Sequence, residues 1–239
     1  MLEWRLYMNL EKALHELFKW ISSSLIDDGL IHKDEFTKRE KKRSLLKSLK
    51  IRCKFNVNIH RPWAPYSRDI LWNPPLLNWV KCNTDGASIG NPGNASCGGV
   101  FRDSNADFLL AFAEPLGFAS SYLAELCGAM KAVEIAHANN WTNIWIETDS
   151  TLVVAAFNNP SKPVPWPLRN RWRNVLVMIQ SLNFIVSHIC REGNKVADLF
   201  ANHGLTLSSC AYWNDPPLFS LDDMNKNKLG LPNFRYVVP

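Results

Sequence analysis

The chain has 239 residues, of which 46% are hydrophobic, and its formal net charge is +5 at pH 7. This length can bury one sizeable core and leaves room for an additional segment. No apolar run approaches the roughly 18 to 20 residues that span a bilayer, and residues 1–10 carry charges where a secretory signal would be apolar. We therefore exclude an integral membrane protein and expect a soluble, unsecreted one.

The cysteines are scattered along the chain and include no C-x-x-C pair: Cys53, Cys82, Cys97, Cys127, Cys190 and Cys210. A zinc knuckle or a disulfide framework requires a closer, more regular spacing. Reduced and partly buried thiols are therefore expected, which is consistent with an intracellular protein.

The positive charge is concentrated near the start of the sequence. Residues 1–72 contain 15 Lys and Arg against 9 Asp and Glu, whereas residues 73–239 contain 12 against 13. The basic excess is centred on residues 38–43, with the sequence KREKKR. Such a run is most often a solvated helix face, and nucleic-acid contact or nuclear targeting is the alternative interpretation.

In chain order, the first predicted elements are two helices at residues 10–25 and 36–50, where apolar residues recur every three to four positions. We assign residues 1–60 to a basic helical extension of low expected order. From residue 61 the composition changes to proline, tryptophan and asparagine, and proline both fixes φ and removes a backbone donor. Residues 61–77 are therefore interpreted as an extended linker.

The next region, residues 78–207, has the pattern of a folded α/β domain. Alternating or apolar runs predict strands at 79–84, 97–103, 108–114, 143–148 and 184–189, and turn residues separate the first three of them. Helical periodicity predicts helices at 122–138, 150–157, 168–182 and 194–205, with a proline-rich segment at 158–167. The order β-β-β-α-β-α-α-β-α implies a mixed sheet covered by helices. Residues 208–239 are assigned to a C-terminal tail.

Four acidic residues occupy notable places in this pattern, although each has a structural explanation of its own. Asp85 precedes Gly86 in a turn-like sequence, and Asp149 ends a strand where a helix N-cap is expected. Asp198 lies in a first helical turn, where it meets the helix dipole favourably. Glu125 shares a helix face with three small residues that would pack on a sheet, Ala129, Ala132 and Ala136.

The joint order of the local strings is more specific than any one of them. The strings run T-D-G at 84–86, G-N-P-G at 90–93, G-G at 98–99, A-E at 124–125, T-D-S at 148–150, His188, G-N at 193–194 and A-D at 197–198. This set resembles the ribonuclease H family, and more narrowly the plant reverse transcriptase-like ribonuclease H domains of non-LTR retrotransposons. The resemblance covers about residues 72–205 and is extended through residues 213–215. It implies a five-stranded mixed sheet, three strands antiparallel and two parallel, with helices on both faces.

The same resemblance implies an endonuclease that hydrolyses the RNA strand of an RNA/DNA hybrid with two Mg²⁺ ions, or Mn²⁺ in their place. Carboxylate oxygens are suitable ligands for such hard ions. By resemblance, Asp85 bridges both ions, Asp149 and Glu125 complete the first site, and Asp198 completes the second. His188 corresponds to a mobile histidine that moves a proton or assists product release. Its alternative interpretation is a polar residue that ends a strand.

The resemblance also assigns contacts with the RNA strand to Gly86, Ala87, Ser88, Asn91 and Asn194. Little base specificity is expected, because sugar and phosphate contacts carry none directly. The expected partner is the RNA/DNA hybrid, and the sequence predicts no protein partner. No membrane contact is expected, and the protein is expected to be a monomer.

The sequence departs from many cellular relatives where a basic helical protrusion grips the DNA strand. Here residues 158–167 offer only Lys162 and Trp166 for that purpose, and the basic residues 38–54 are the expected substitute. Phe200 stands where a leucine is common, which we interpret as core variation. The basic run and the implied activity together favour a nuclear location, with a cytoplasmic one as the alternative.

Two other functions fit the same pattern. A transposon-derived module could keep the fold and bind nucleic acid with little or no catalysis, although all four carboxylates are retained. Proofreading exonucleases also use four carboxylates, but they begin with an Asp-x-Glu pair, whereas Asp85 is followed here by Gly86 and Ala87. Cleavage of a hybrid distinguishes the first alternative, and a 3′-end requirement distinguishes the second.

Overall fold

The computed structural model describes residues 66–161 and 163–237 of the chain. The helices predicted at 10–25 and 36–50 and the basic residues 38–54 lie outside the described residues. Within the described ranges, none of the helices has both the length and the apolar character that crossing a membrane requires.

The described residues form eight strands and five α-helices, and the first four strands precede the first helix. The strands are β1 Tyr66–Ile70, β2 Val80–Gly90, β3 Gly93–Arg102, β4 Phe108–Ala119, β5 Asn143–Thr148, β6 Asn183–His188, β7 Ala211–Trp213 and β8 Asn233–Val237. The helices are α1 Ser121–Ala138, α2 Thr151–Asn158, α3 Arg169–Ile179, α4 Lys195–Gly204 and α5 Leu221–Lys228. Short 3₁₀ turns occupy Trp166–Leu168, Arg191–Gly193 and Leu218–Ser220.

The main sheet has the strand order β6-β5-β2-β3-β4-β7. Strands β2, β3 and β4 form an antiparallel meander, whereas β5 runs parallel to β2 and β6 runs parallel to β5. This arrangement confirms the predicted mixed α/β sheet. It differs from the prediction in having a sixth strand, β7, which pairs antiparallel with β4.

Helices cover both faces of this sheet, as predicted. Neighbouring residues of a strand point to opposite faces. Phe101 accordingly packs into the large core that includes α1, whereas Val100 packs with Phe200 of α4. The small residues Ala129 and Ala132 of α1 are fully buried, which lets this helix lie close to the strands.

The segment predicted as a C-terminal tail is folded, so the domain end at residue 207 was placed too early. Its strand β7 carries Trp213, whose ring centroid lies 5.3 Å from that of Phe200. Met224 of α5 is buried in the same cluster. These side chains cover apolar surface of the sheet and of α4 that would otherwise meet water, and burial of that surface stabilises the segment.

The segment predicted as a linker, residues 61–77, is also part of the fold from residue 66 onward, while residues 61–65 lie outside the described residues. Strand β1 pairs antiparallel with β8, and Ile70 and Trp72 are buried with Ile189. Proline-rich composition predicts an extended chain, and the chain is extended here. The sequence did not predict that part of this extended chain pairs with a strand from the other end of the described residues.

The three strands of the meander are longer than predicted. Strand β2 continues through Asp85 to Gly90, where the prediction ended it at residue 84. Glycine and aspartate have low strand propensity, but cross-strand pairing overrides it at these positions. Asp85 therefore lies within a strand rather than in the turn that its sequence favoured.

Candidate metal centre

The four acidic residues come from four elements that meet at one edge of the domain. Asp85 lies within β2, and Asp149 directly follows β5. These strands are parallel neighbours with Thr84 paired to Thr148, which brings Asp85 and Asp149 side by side. Glu125 lies near the start of α1 and Asp198 in the first turn of α4.

Two glycines allow the helices to approach the strands closely enough. A Cβ atom added at Gly86 would lie 2.3 Å from the backbone nitrogen of Glu125. A Cβ atom added at Gly98 would lie 2.4 Å from the backbone nitrogen of Ala201, on α4. Both distances are too short for a real Cβ, so the absence of a side chain is what permits α1 and α4 to lie where they do.

Three of the carboxylates converge tightly. One ligand oxygen from each of Asp85, Glu125 and Asp149 lies within 4.8 Å of the others. Asp198 belongs to the same pocket but lies outside this group of three, and its Oδ1 atom is 3.5 Å from Nη2 of Arg191. The pocket has a volume of about 310 Å³ and is lined by Asp85, Gly86, Ala87, Ser88, Ile89, Ser121, Glu125, Asp149, Arg191, Asp198, Asn202 and Leu205.

The electrostatics of this cluster are unfavourable without a cation. Burial, followed by the charges of Asp149 and Asp198, raises the pKa of Asp85 to about 8. Burial, followed by the charges of Asp85 and Asp149, raises the pKa of Glu125 to about 10. The pKa of Asp149 is also raised, mainly by burial. Like charges and low polarity both disfavour the ionised forms.

The residues present fit a divalent metal ion. Among the described residues, Oε2 of Glu125 and Oδ1 of Asp149 are buried and have no hydrogen-bond partner. Buried acceptors of this kind are costly unless a donor or cation satisfies them. Oδ1 of Asp85 accepts a hydrogen bond of 2.8 Å from the amide of Gly86, which fixes that carboxylate at the pocket. An all-oxygen donor set of this charge suits Mg²⁺ or Mn²⁺.

His188 lies at the end of β6 beside the carboxylates, but it does not line the pocket. Its side chain is exposed, and Nε2 lies 3.1 Å from the backbone oxygen of Asp149. The pairing of Thr148 with His188 explains this proximity, since parallel strands end at the same edge of the sheet. Its catalytic role stays a prediction.

The predicted substrate contacts have different outcomes. Gly86, Ala87 and Ser88 line the pocket, and Asn91 lies at the exposed hairpin turn, where its Oδ1 accepts from the amide of Ser121 at 3.1 Å. The side chain of Asn194 is 1% exposed and does not line the pocket, so its contact with the substrate stays a prediction. The resemblance placed it with the substrate contacts, whereas its side chain makes buried hydrogen bonds within the protein.

Sequence reasoning missed Arg191, Asn202 and the pocket-lining Ile89. Arg191 lies in the 3₁₀ turn before α4, and its side chain is 78% exposed. Asp198 raises its pKa, so it stays cationic at any physiological pH. In the sequence, Arg191 lies seven residues before Asp198, and this separation does not predict a contact when a turn lies between the two residues.

A model described as reverse transcriptase-like matches residues 83–204, more than half of the chain. The chain belongs to this reverse transcriptase-like family. The match contains all four carboxylates and ends with α4. It therefore confirms the family expected from the ordered motifs, and it leaves β1, β7, α5 and β8 outside the matched range.

Several known proteins are similar to parts of this chain. An Arabidopsis thaliana protein named "Putative ribonuclease H protein" is 37% identical over 142 residues, which is 59% of this chain and 23% of the relative. The chain thus spans about a quarter of that relative's length. The N-terminal RNase H domain of a Mycobacterium tuberculosis protein has a TM-score of 0.50 and 25% identity, covering 53% of this chain and 98% of that one. RNase H1 from Halobacterium salinarum has a TM-score of 0.49 and 26% identity, covering 54% of this chain and 98% of that one. This member of the reverse transcriptase-like family has the RNase H-like fold.

Gly86→Ala tests whether the close approach of α1 builds the centre. We expect the added methyl to push Glu125 away, lowering the free energy of unfolding by about 1–3 kcal/mol and weakening Mn²⁺ binding. Urea unfolding and calorimetric titration measure the two effects. Gly117→Ala is the control, because its φ of +70° strains alanine while nothing lies within 4 Å of the new Cβ. Unchanged Mn²⁺ binding in Gly86→Ala would contradict the proposed role.

Proposed function

We propose that this domain is a metal-dependent endoribonuclease that cuts the RNA strand of RNA/DNA hybrids. The convergence of Asp85, Glu125 and Asp149, with buried oxygens that lack partners among the described residues, is the observation that carries this proposal. The RNase H-like fold and the Arabidopsis relative's name support the hybrid as substrate. Residues 86–89 of β2 line the pocket together with the four carboxylates, and we propose that a strand of nucleic acid binds along them.

In this proposal, Asp85, Glu125, Asp149 and Asp198 would hold two divalent ions, the first three residues forming the tightest group. When bound, the ions supply Lewis acidity and neutralise the charge at the attacking and leaving oxygens of the phosphodiester. Hydrolysis joins the oxygen of water to phosphorus and breaks the bond to the 3′ oxygen, which leaves as a hydroxyl. His188 is exposed beside Asp149, where it can receive or return the proton of this step.

The chain's own residues also orient the substrate. Ala87 and Ser88 extend from Asp85 along the pocket wall, and the Ser88 hydroxyl donates to the carbonyl of Gly90 at 2.6 Å, which holds this wall in place. Arg191 is the cation at the pocket, and it is placed to meet a phosphate while it also pairs with Asp198. We propose that the basic residues 38–54 add salt-dependent affinity for the duplex.

The decisive experiment is cleavage of an end-labelled RNA/DNA hybrid with and without Mg²⁺, compared with RNA and DNA duplexes. We expect internal cuts in the RNA strand only, which are lost with chelator. Asp149→Asn is expected to remove cleavage and leave hybrid binding intact. Asp107→Asn is the matched control, since Asp107 lies at the surface in an ion pair with Lys228.

Two results would contradict the proposal. If the wild-type protein binds the hybrid with Mg²⁺ present and leaves it whole, the chain is a binding module of the same fold. If cutting begins only at a 3′ end of single strands, the activity is that of an exonuclease.

A further inference from the structure

A layer of buried polar residues lies directly behind the carboxylates. It contains Asn83, Glu147 and Asn194, which are 1%, 6% and 1% exposed. Asn83 precedes Asp85 by two residues on β2, and since alternate residues of a strand share a face, the two lie on the same side. Glu147 is in β5, two residues before Asp149, which directly follows that strand. Asn194 precedes Asp198 by one helical turn.

Asn83 is the hub of this layer. Its Oδ1 accepts from Nε1 of Trp72 at 2.7 Å and from Nη2 of Arg102 at 2.8 Å. Two donors on one oxygen fix the orientation of the amide, so its nitrogen must face the other way. That nitrogen donates to Oε2 of Glu147 at 3.0 Å and to Oδ1 of Asn194 at 3.2 Å. One side chain thus connects β2 with β5 and with the start of α4.

Asn194 transmits this connection to Asp198. Its side-chain nitrogen donates to the backbone oxygen of Thr84 at 3.0 Å, next to Asp85 in sequence. Its own backbone oxygen accepts from the amide of Asp198 at 3.1 Å. The side chain therefore anchors the start of α4 to β2, and the backbone anchors Asp198 to that same residue.

The hub is itself held by buried cations. The guanidinium carbon of Arg102 lies 3.6 Å from the centroid of the Trp72 ring, and Nζ of Lys81 lies 2.8 Å from Oε2 of Glu147. Both cations are 1% exposed. A buried network that is bonded in this way resists displacement of any one member, because a broken bond leaves a buried polar group without a partner.

We propose that Asn83, Glu147 and Asn194 are positioning residues that set the spacing of Asp85, Asp149 and Asp198, and thereby the affinity for divalent ions. This inference rests on the proposed metal site. It assigns Asn194 a role behind the carboxylates. Such supporting residues affect metal affinity because a carboxylate displaced by a fraction of an ångström no longer matches the ion's coordination distance.

Asn194→Ala tests the inference, with Mn²⁺ binding measured by calorimetry in the absence of nucleic acid. We expect an affinity at least about 10-fold weaker, because loss of an outer-shell partner typically costs 10- to 100-fold. The concentration of Mn²⁺ that gives half-maximal cleavage of the hybrid should rise in parallel. Asn194→Ser, which keeps one hydroxyl for hydrogen bonding, is the milder second variant if Asn194→Ala does not fold.

Asn183→Ala is the matched control. Asn183 donates to Oδ1 of Asn143 at 2.6 Å, so this pair joins β5 and β6 at the ends that lie away from the carboxylates. Asn183→Ala makes the same substitution as Asn194→Ala and removes an exposed amide–amide hydrogen bond between neighbouring strands, whereas Asn194→Ala removes two buried hydrogen bonds; it should leave Mn²⁺ affinity unchanged.

A purely structural role would lower the stability of the Asn194 variants and leave their Mn²⁺ affinity equal to that of the wild type, and this result would overturn the inference. Wild-type protein that binds no Mn²⁺ would overturn it together with the metal site. Wild-type protein that binds Mn²⁺ but does not cut the hybrid would end only the proposed activity. In that case the comparison of affinities still decides whether Asn194 is a positioning residue.

Discussion

Asp85→Asn is expected to abolish hybrid cleavage while making the metal-free protein more stable. The loss of activity should be on the order of 10³-fold or more, as is typical when a central member of a catalytic unit is removed. The gain in stability follows from charge, since Asp85 is 4% exposed and lies beside Asp149 and Glu125. A neutral amide of the same shape removes a buried carboxylate whose ionised form is disfavoured there.

Urea unfolding in chelator at pH 8 measures the stability change, and the labelled hybrid measures the activity. Asp107→Asn serves as control, because an exposed ion pair such as that of Asp107 with Lys228 contributes little to stability. Lower stability of Asp85→Asn in chelator would contradict the view that this site is built for a cation. A loss of activity together with a gain in stability would show that the buried carboxylate of Asp85 is kept for function at a cost in stability.

The sequence predicted the carboxylates because their local strings are short and contiguous. T-D-G, A-E, T-D-S and A-D each identify a residue by its immediate neighbours, and their order along the chain gives the element that carries each one. The structure brings Asp85, Glu125 and Asp149 into one cluster. Asp198 lies in the same pocket but is held by Arg191. This ion pair depends on the path of a 3₁₀ turn, which no local string predicts.

The residues behind the carboxylates escaped prediction for a related reason. Asn83 and Glu147 belong to strands where polar residues at alternate positions usually face solvent. They are buried because Lys81 and Arg102 are buried with them, and such mutual burial appears only once β2, β3 and β5 are assembled. Asn194 was assigned to the substrate by the family resemblance, which does not show that its side chain bonds to Asn83 and to the backbone of Thr84.

The fold was predictable where periodicity is long and unpredictable where elements are short. Helix α1 matched its prediction of residues 122–138 within one residue, since its apolar pattern runs over more than four turns. Strand β7 has three residues, and β8 pairs with β1 from the other end of the described chain. Pairings of this kind depend on contacts that are remote in sequence and therefore leave no local pattern.

Burial shifts the pKa values of the buried cations and of the pocket carboxylates in opposite directions. Burial lowers the pKa of Lys81 to about 8, with Glu147 acting against that shift. It also lowers the pKa of Arg102, which stays charged at neutral pH. Both cations belong to the buried polar layer, which lies on the protein side of the acidic cluster. The protein therefore combines buried cations that are partly compensated by Asn83 and Glu147 with carboxylates whose burial is left for an ion to compensate.

This imbalance predicts how stability depends on pH between 5 and 8. Burial and the neighbouring charges raise the pKa of Asp85 to about 8 and that of Glu125 to about 10, above their ordinary values of 3.8 and 4.5. In this window the folded protein retains protons that the unfolded chain has released. This contribution to stability is fully present only below the ordinary pKa values of the two carboxyls, is already declining at pH 5, and continues to fall as pH rises, by up to about 1.4 kcal/mol per pH unit for each retained proton.

Urea unfolding at pH 5, 6, 7 and 8 in chelator should show this decline, and saturating Mg²⁺ should remove it, because a bound ion favours the ionised carboxylates. The window ends at pH 8 because Lys81 titrates above it with the opposite sign. Asp85→Asn should make the decline in the chelator profile shallower, because Glu125 still retains its proton, whereas Asp107→Asn should leave the profile unchanged. A chelator profile that rises toward pH 8, or one that Mg²⁺ does not alter, would show that the buried carboxylates are compensated by the protein itself, and the metal centre would then lose its physical basis.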